Sequence, residues 1–407
     1  MRAWRYLLPL LYFLSLTIFL LFMVTTISAK INKQSVQYLS PIPGAKFVSK
    51  ETNIILRYKE CIQTQIKDLS SLFQVQGSIS GAHIGKAIIS DDNNTVVFKL
   101  ANNFEPGEVV SVQLPGSIYP DNREDVKMLS FNFEISPIRE KLSPEQVFSV
   151  KNKDRDLDFK NYNPGLDKHA SKVRTINGIS LPNDFPSVEV RVNDNPDSGF
   201  IFMNNWEGTS YIMILENSGT PVFYKKMPGR ASDFKVQPTG ILTHYFAENL
   251  WAFVAMDSTY TVIDTFRCEN GYTTNEYELQ VLPNGHALLI ANDYQIFDMS
   301  QIVPGGNPHA IVLGDHVQEL DGSKNVVFEW RCWDHFNVTD AIYEDLTAAT
   351  IDMVHMNAID VDNDGNILVS SRNLSEITKI NRETGEIMWR LGGVNNEFTF
   401  VNDPHDI

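Results

Sequence analysis

Three stretches of this chain share one rhythm: a short apolar run, a polar turn ending in glycine, and a second apolar run. They are Phe234-Lys-Val-Gln-Pro-Thr-Gly-Ile-Leu242, Leu279-Gln-Val-Leu-Pro-Asn-Gly-His-Ala-Leu-Leu-Ile290 and Ile359-Asp-Val-Asp-Asn-Asp-Gly-Asn-Ile-Leu-Val369. Glycine at that place supplies the positive φ of a tight hairpin without a steric penalty. The turn glycines Gly240, Gly285 and Gly365 stand roughly 45 and then roughly 80 residues apart, one repeat followed by a repeat with an insertion. A second hairpin follows the first, as in 317–330 and 377–389. Four short strands in a repeat of about 40–50 residues is the pattern of a β-propeller blade. No long amphipathic periodicity competes with it.

Residues 186–407 hold roughly four such units, and the chain stops at Asp406-Ile407 without a visible closing strand. The expectation is therefore an all-β protein whose propeller, six-bladed when complete, is cut short at its C-terminal side. A closed small propeller is the competing reading. Ahead of it, residues 34–136 carry short β-rich runs such as Asn53-Ile-Ile-Leu-Arg-Tyr58, Thr95-Val-Val-Phe-Lys-Leu100 and Val109-Val-Ser-Val-Gln-Leu114. Turn clusters at Asp91-Asp-Asn-Asn94 and Glu105-Pro-Gly107 separate them. With Ser40-Pro-Ile-Pro-Gly44 and Phe104-Glu-Pro-Gly-Glu108, this region resembles bacterial immunoglobulin-like β-sandwich domains, which act as spacers or binding arms. Residues 137–185, rich in charge and turn formers, read as a connector.

The first residues read as an address. Arg2 and Arg5 precede an apolar run over 7–28, and Ser28-Ala29 closes it. Residues 1–29 fit a cleaved export signal, and the run is also long enough for an uncleaved membrane anchor. Either route puts the remainder in the periplasm or outside the cell, with the membrane touched only through this segment. A formal net charge of −16 argues against a nucleic-acid partner, whose phosphates need a basic surface. The three cysteines, Cys61, Cys268 and Cys332, allow at most one internal disulfide. Cys268 and Cys332 either pair or stay as buried thiols, and no cysteine–histidine spacing points to zinc.

The most specific signal lies between His355 and Asp406. It reads His355-Met-Asn357, then Val369-Ser-Ser-Arg372, then Lys379-Ile-Asn-Arg-Glu-Thr-Gly-Glu-Ile-Met-Trp-Arg-Leu-Gly-Gly393, then Asp403-Pro-His405-Asp406. This order resembles the arylsulfotransferase family, as do Gly271-Tyr272, Phe328-Glu-Trp330 and the turn around Gly285. The resemblance covers roughly residues 195–407. It implies sulfuryl transfer from an aryl sulfate to a phenol through a covalent sulfohistidine, in a ping-pong sequence, with neither a cofactor nor a nucleotide sulfate donor. By place in the motif, His405 is the nucleophile and His355 the acid/base, while Arg372 and Asn357 bind the sulfuryl oxygens. One departure stands out. Family members carry a histidine where this chain has Tyr277, in Asn275-Glu-Tyr277-Glu278. A phenol replaces a hydrogen-bond donor there but not a cation.

The residue chemistry fits that reading. His355 and Asn357 alternate along one expected strand and so share a face, and Arg372 ends the next strand. A guanidinium binds sulfate oxygens bidentately and keeps its charge. A neutral imidazole attacks sulfur and a second one handles the phenol proton. The other reading is a non-catalytic exported propeller that binds a ligand or partner. His244, His309, His316 and His335 read as packed or surface residues, and His286 as a surface residue of its strand. Asp360-Val-Asp-Asn-Asp364 reads as a hairpin turn, lacking the spacing of a calcium loop. Nothing in the sequence speaks to oligomeric state.

Overall fold

The computed structural model describes residues 36–62, 68–115, 128–138, 141–151, 174–176, 178–205, 208–247, 250–399 and 401. Among these the fold is nearly all β, built from several antiparallel sheets. No helix of the described residues is long and apolar enough to cross a membrane, and the N-terminal segment read as signal or anchor lies outside them.

Two four-stranded sheets form the N-terminal region. One orders Val36–Ser40, Ile54–Tyr58, Thr95–Leu100 and Gly85–Ile89 side by side; the other orders Gly81–His83, Gln74–Gly77, Val109–Pro115 and Met128–Glu134. Strict alternation of exposed and buried residues along Met128–Glu134 marks a strand with one wet face. Ile54, Leu56 and Phe98 from the first sheet and Val110, Val112 and Phe133 from the second are all buried. Each such burial removes a side chain from water for about 1.5–3 kcal/mol.

The connector holds an α-helix, Pro144–Lys151, which the turn-rich composition of the region conceals. Its start was written locally. Gln146 N–H donates to Ser143 Oγ at 3.3 Å, and Ser143 N–H donates to Gln146 Oε1 at 2.8 Å. This reciprocal capping box, with Pro144 inside the first turn, satisfies amides the helix leaves open.

A three-stranded sheet follows: Phe200–Asn204, Tyr211–Glu216 and Pro221–Lys226. Then come three antiparallel meanders. The first runs Ala231–Val236, Leu242–Phe246, Ala252–Met256, Val262–Phe266. The second runs Thr273–Val281, Ala287–Phe297, Ala310–Leu320, Val326–Arg331. The third runs Met356–Val361, Ile367–Ser371, Glu376–Ile380, Ile387–Gly392. Gly240, Gly285 and Gly365, at φ of 84°, 85° and 82°, sit in the first turn of each. The sequence repeat is thus a repeat of consecutive sheets. The long spacing between the second and third turns comes from two 11-residue strands, Ala287–Phe297 and Ala310–Leu320, and from the segment after Arg331. That segment forms two short 3-10 turns and ends in Thr350–Asp352, which pairs in parallel with Ala310–Leu320. The first strand of each meander lies against the first strand of the next.

The largest apolar core is shared between the two regions. Tyr38, Ile55 and Val97 of the N-terminal sheets belong to the same buried cluster as Phe253, Leu289, Phe328, Trp330 and Ile359. Cys268 and Cys332 lie inside it as free thiols, so the disulfide left open by the sequence is not formed; Cys61 is exposed and free. Tyr294 and Phe336 are buried, and Trp333 packs half-buried against the core. The Tyr294 hydroxyl accepts the Leu142 N–H at 2.6 Å, and Trp333 Nε1 donates to Asp293 at 2.8 Å.

Candidate functional site

Each first strand of the three meanders breaks its ladder near the same end. In Ala231–Val236, Asp233 and Phe234 stand opposite His244 alone. In Thr273–Val281, Asn275 to Glu278 stand opposite Ile290 alone. In Met356–Val361, Asn357 has no counterpart between Met356↔Ser371 and Ala358↔Ser370. Bulges of this kind re-aim side chains out of the regular pleat and cluster beside active sites. Two of the residues that the sequence singled out, Tyr277 and Asn357, stand in them.

Tyr277 sits in the second of these bulges. Asn275 braces it: its Oδ1 accepts the Tyr277 N–H at 2.8 Å, and its Nδ2 donates to Asn292 Oδ1 at 2.9 Å. The Tyr277 ring then lies 5.4 Å from the His355 ring, centroid to centroid and tilted by 41°. The residue that departs from the family pattern therefore adjoins the expected acid/base.

His355 is buried and precedes its strand, at φ 51°. This corrects the expected alternation with Asn357. The left-handed turn at His355 and the bulge at Asn357 both fall where a regular two-residue period was read. A non-glycine residue in that region costs on the order of 1–3 kcal/mol, so its surroundings must hold it there. They do so at several points. The Arg372 N–H donates to the His355 carbonyl at 3.1 Å, and the Asn373 N–H to the Val354 carbonyl at 3.2 Å. The Met356 N–H donates to Asp315 Oδ2 at 2.7 Å. His355 Nδ1 lies 2.6 Å from Asp352 Oδ2. Among the described residues its Nε2 has no hydrogen-bond partner.

Arg372 is thereby joined to His355 through the backbone, and its side chain is exposed, as is that of Asn357. Neither side chain makes a hydrogen bond or ion pair among the described residues. His405, expected as the nucleophile, lies outside the described residues.

Several neighbours of this site escaped the sequence reading. Lys235 Nζ lies 2.9 Å from Asp233 and also pairs with Glu278, bridging the first two bulges. Burial pushes the Asp233 carboxyl up to about 7; Lys235 opposes this and the Glu278 charge adds to it. Asp315 comes from the second meander, 41 residues before Met356, and was invisible to a search along the His355 motif; Asp352 stands only three residues before His355, but its contact depends on the turn between them. Of the other histidines, His244 and His335 are packed as expected, and only His286 departs from expectation. Burial holds the His244 and His335 imidazoles neutral, each pushed down to about 4. His286 is not a surface residue. It is buried, with Nδ1 2.6 Å from Glu319 and Nε2 2.8 Å from Asp91, because the N-terminal turn at Asp91 covers its strand.

The sequence profile of the family described as arylsulfotransferase (ASST) matches residues 187–398, a stretch that contains Tyr277, Asn275, Asp352, His355, Asn357 and Arg372. The chain belongs to the arylsulfotransferase family. Membership supports aryl sulfotransferase activity on small-molecule aryl sulfates and phenols. No curated protein matches the chain. Solved structures similar to it include a protein of unknown function from Bacteroides caccae, 9% identical over 47% of this chain and 72% of that one, with a TM-score of 0.25. Another is a catalytically inactive virginiamycin B lyase from Staphylococcus aureus with quinupristin, 14% identical over 47% and 70%, with a TM-score of 0.24. CopC from Methylosinus trichosporium OB3b is 13% identical over 27% and 99%, with a TM-score of 0.19. The family assignment rests on the profile match, and nothing is taken from these three likenesses.

Proposed function

We propose that this arylsulfotransferase moves a sulfuryl group from an aryl sulfate to a phenolic acceptor through a sulfated His405, in two half-reactions and without a nucleotide donor. The observation that carries the reading is the family match across the segment in which Arg372 and Tyr277 each adjoin His355. The exposed Arg372 guanidinium offers two parallel N–H groups to sulfate oxygens, and Asn357 adds a neutral donor. His405 attacks sulfur as a neutral imidazole. His355 gives a proton to the departing phenolate and later takes one from the acceptor phenol. Tyr277 supplies a hydrogen bond where a histidine would supply a charge.

In the same reading the meanders are blades of a propeller with their first strands innermost. Their strand order and mutual packing support this. Residues 34–136 would then be an immunoglobulin-like sandwich, 137–185 a connector and 186–407 the propeller, exported by the segment 1–29 and held at the membrane if residues 7–28 stay uncleaved.

The test is turnover of a chromogenic aryl sulfate with a phenol acceptor. We expect phenol release, acid-labile sulfate on His405 by mass spectrometry, and loss of both in His405→Ala with the fold unchanged. A wild-type protein that releases no phenol would leave the non-catalytic binding reading, and His405→Ala that still releases it would remove His405 as the nucleophile.

A further inference from the structure

Asp352 belongs to none of the motifs read from the sequence, yet it makes the side-chain hydrogen bond of His355, 2.6 Å from Oδ2 to Nδ1. Both residues are buried, at 8% and 6% exposure. Each is fixed by elements other than its partner. Asp352 lies on the strand paired in parallel with Ala310–Leu320, opposite Leu313, and its carbonyl accepts Asn373 Nδ2 at 2.5 Å. His355 is held by Arg372 from the next turn, and its neighbour Met356 is held by Asp315. Carboxylate and imidazole lie three residues apart on one turn, and the neighbouring sheets fix that turn, with His355 kept in a left-handed conformation, so that the two meet.

We infer that Asp352 is a positioning residue of the sulfuryl-transfer site: it takes the Nδ1–H of His355 and so reserves Nε2 for the proton of the phenol. This rests on the reading of His355 as acid/base. A carboxylate only accepts, so Nδ1 keeps its hydrogen throughout and Nε2 alone gains or loses one. In the first half-reaction the aryl O–S bond breaks and the S–N bond to His405 forms. The departing phenolate oxygen takes the Nε2 proton. In the second, the S–N bond breaks and a new S–O bond forms to the acceptor, whose phenolic proton returns to Nε2. Asp352 stays a carboxylate in both.

The experiment compares the full chain with Asp352→Asn, nearly isosteric, and Asp352→Glu. An amide presents an N–H to Nδ1 and moves the ring hydrogen to Nε2. Nitrogen-15 spectra of histidine-labelled protein, with the His355 signals assigned by their loss in His355→Gln, report the tautomer directly. For the neutral ring, the form left once Nε2 has given up its proton, we expect Nδ1–H in the wild type and Nε2–H in Asp352→Asn. We expect kcat to fall about 10²–10⁴-fold in Asp352→Asn, with KM for the aryl sulfate within about threefold and the thermal midpoint unchanged. Asp352→Glu should recover part of kcat. A neutral wild-type His355 ring carrying its one hydrogen on Nε2, or Asp352→Asn with kcat within about threefold of wild type, overturns the inference. If the asparagine variant fails to fold, the wild-type spectrum still decides. If the wild type transfers no sulfuryl group, the reaction reading fails on that result, while the spectra decide separately whether Asp352 controls the tautomer.

Discussion

The environment of Tyr277 shows how one side chain is placed by a neighbour two residues away. Asn275 turns its carboxamide back onto the Tyr277 N–H, which stabilises the bulge and sets the ring against His355. If the phenol O–H serves the sulfuryl oxygens, Tyr277→Phe should lower kcat/KM for aryl sulfates about tenfold, some 1.4 kcal/mol, with no loss of stability. Steady-state kinetics beside a thermal melt checks this. An unchanged kcat/KM would mean that the ring acts only by packing against the imidazole.

Between elements, charge does work that apolar packing does not. His286 follows the turn glycine of the second meander and lies between Glu319 of the same meander and Asp91 of an N-terminal turn. Arg382, from the last turn of the third meander, closes the group with Nε 2.7 Å and Nη2 2.5 Å from the two oxygens of Glu319. Burial works against the His286 cation, but the hydrogen bonds and charges of Glu319 and Asp91 outweigh it and raise its pKa. Burial likewise works against the Glu319 anion, yet Arg382 and His286 hold it down to about 2. The signs then follow. The His286 contribution is complete below its unfolded value of about 6.5 and is lost as pH rises through the higher folded value. The Glu319 contribution is complete above about 4.5 and is lost as pH falls toward about 2. Urea unfolding should therefore show the wild type losing stability from pH 6 to pH 8 relative to His286→Gln, by on the order of 1 kcal/mol. Parallel curves for the two proteins would remove His286 from the account.

The N-terminal sheets and the meanders are tied by more than this charge group. Tyr38 stacks on Phe328 at 5.0 Å, and its hydroxyl donates to the Glu329 carbonyl and accepts the Glu329 N–H, both at 2.8 Å. Arg57 donates to the carbonyls of Arg382 and Val327, and Arg331 donates to those of Lys46 and Phe47. Surfaces joined by buried polar bonds and one continuous core should unfold together. No tryptophan lies between residues 36 and 138, and all but Trp4 lie beyond residue 200, so tryptophan fluorescence reports chiefly on the C-terminal sheets. Tyr38→Ala, made in the N-terminal sheet, should lower the stability seen by that probe by about 3 kcal/mol, with one transition retained. A fluorescence midpoint that does not move would show two independent units.

What could be read along the chain was what depends on near neighbours. Turn glycines, strand runs and the order His355, Asn357, Arg372 are local, and the three repeats proved to be three consecutive sheets. The helix at 144–151 was legible too, in Ser143 and Gln146, but its weak apolar pattern hid it. The bulges could not be read, because a period of two has no mark for the residue where it slips. Nor could the contacts of the candidate site. Asp352 is only three residues from His355, but that their side chains meet depends on the left-handed turn between them, and Tyr277 reaches the site from another sheet. His286 looked exposed because the turn that buries it lies 195 residues away. Local propensity specifies strands and turns from adjacent residues. Which side chains meet is decided by irregular turns and by packing between sheets, whose partners are mostly remote along the chain, and neither leaves a periodic trace in it.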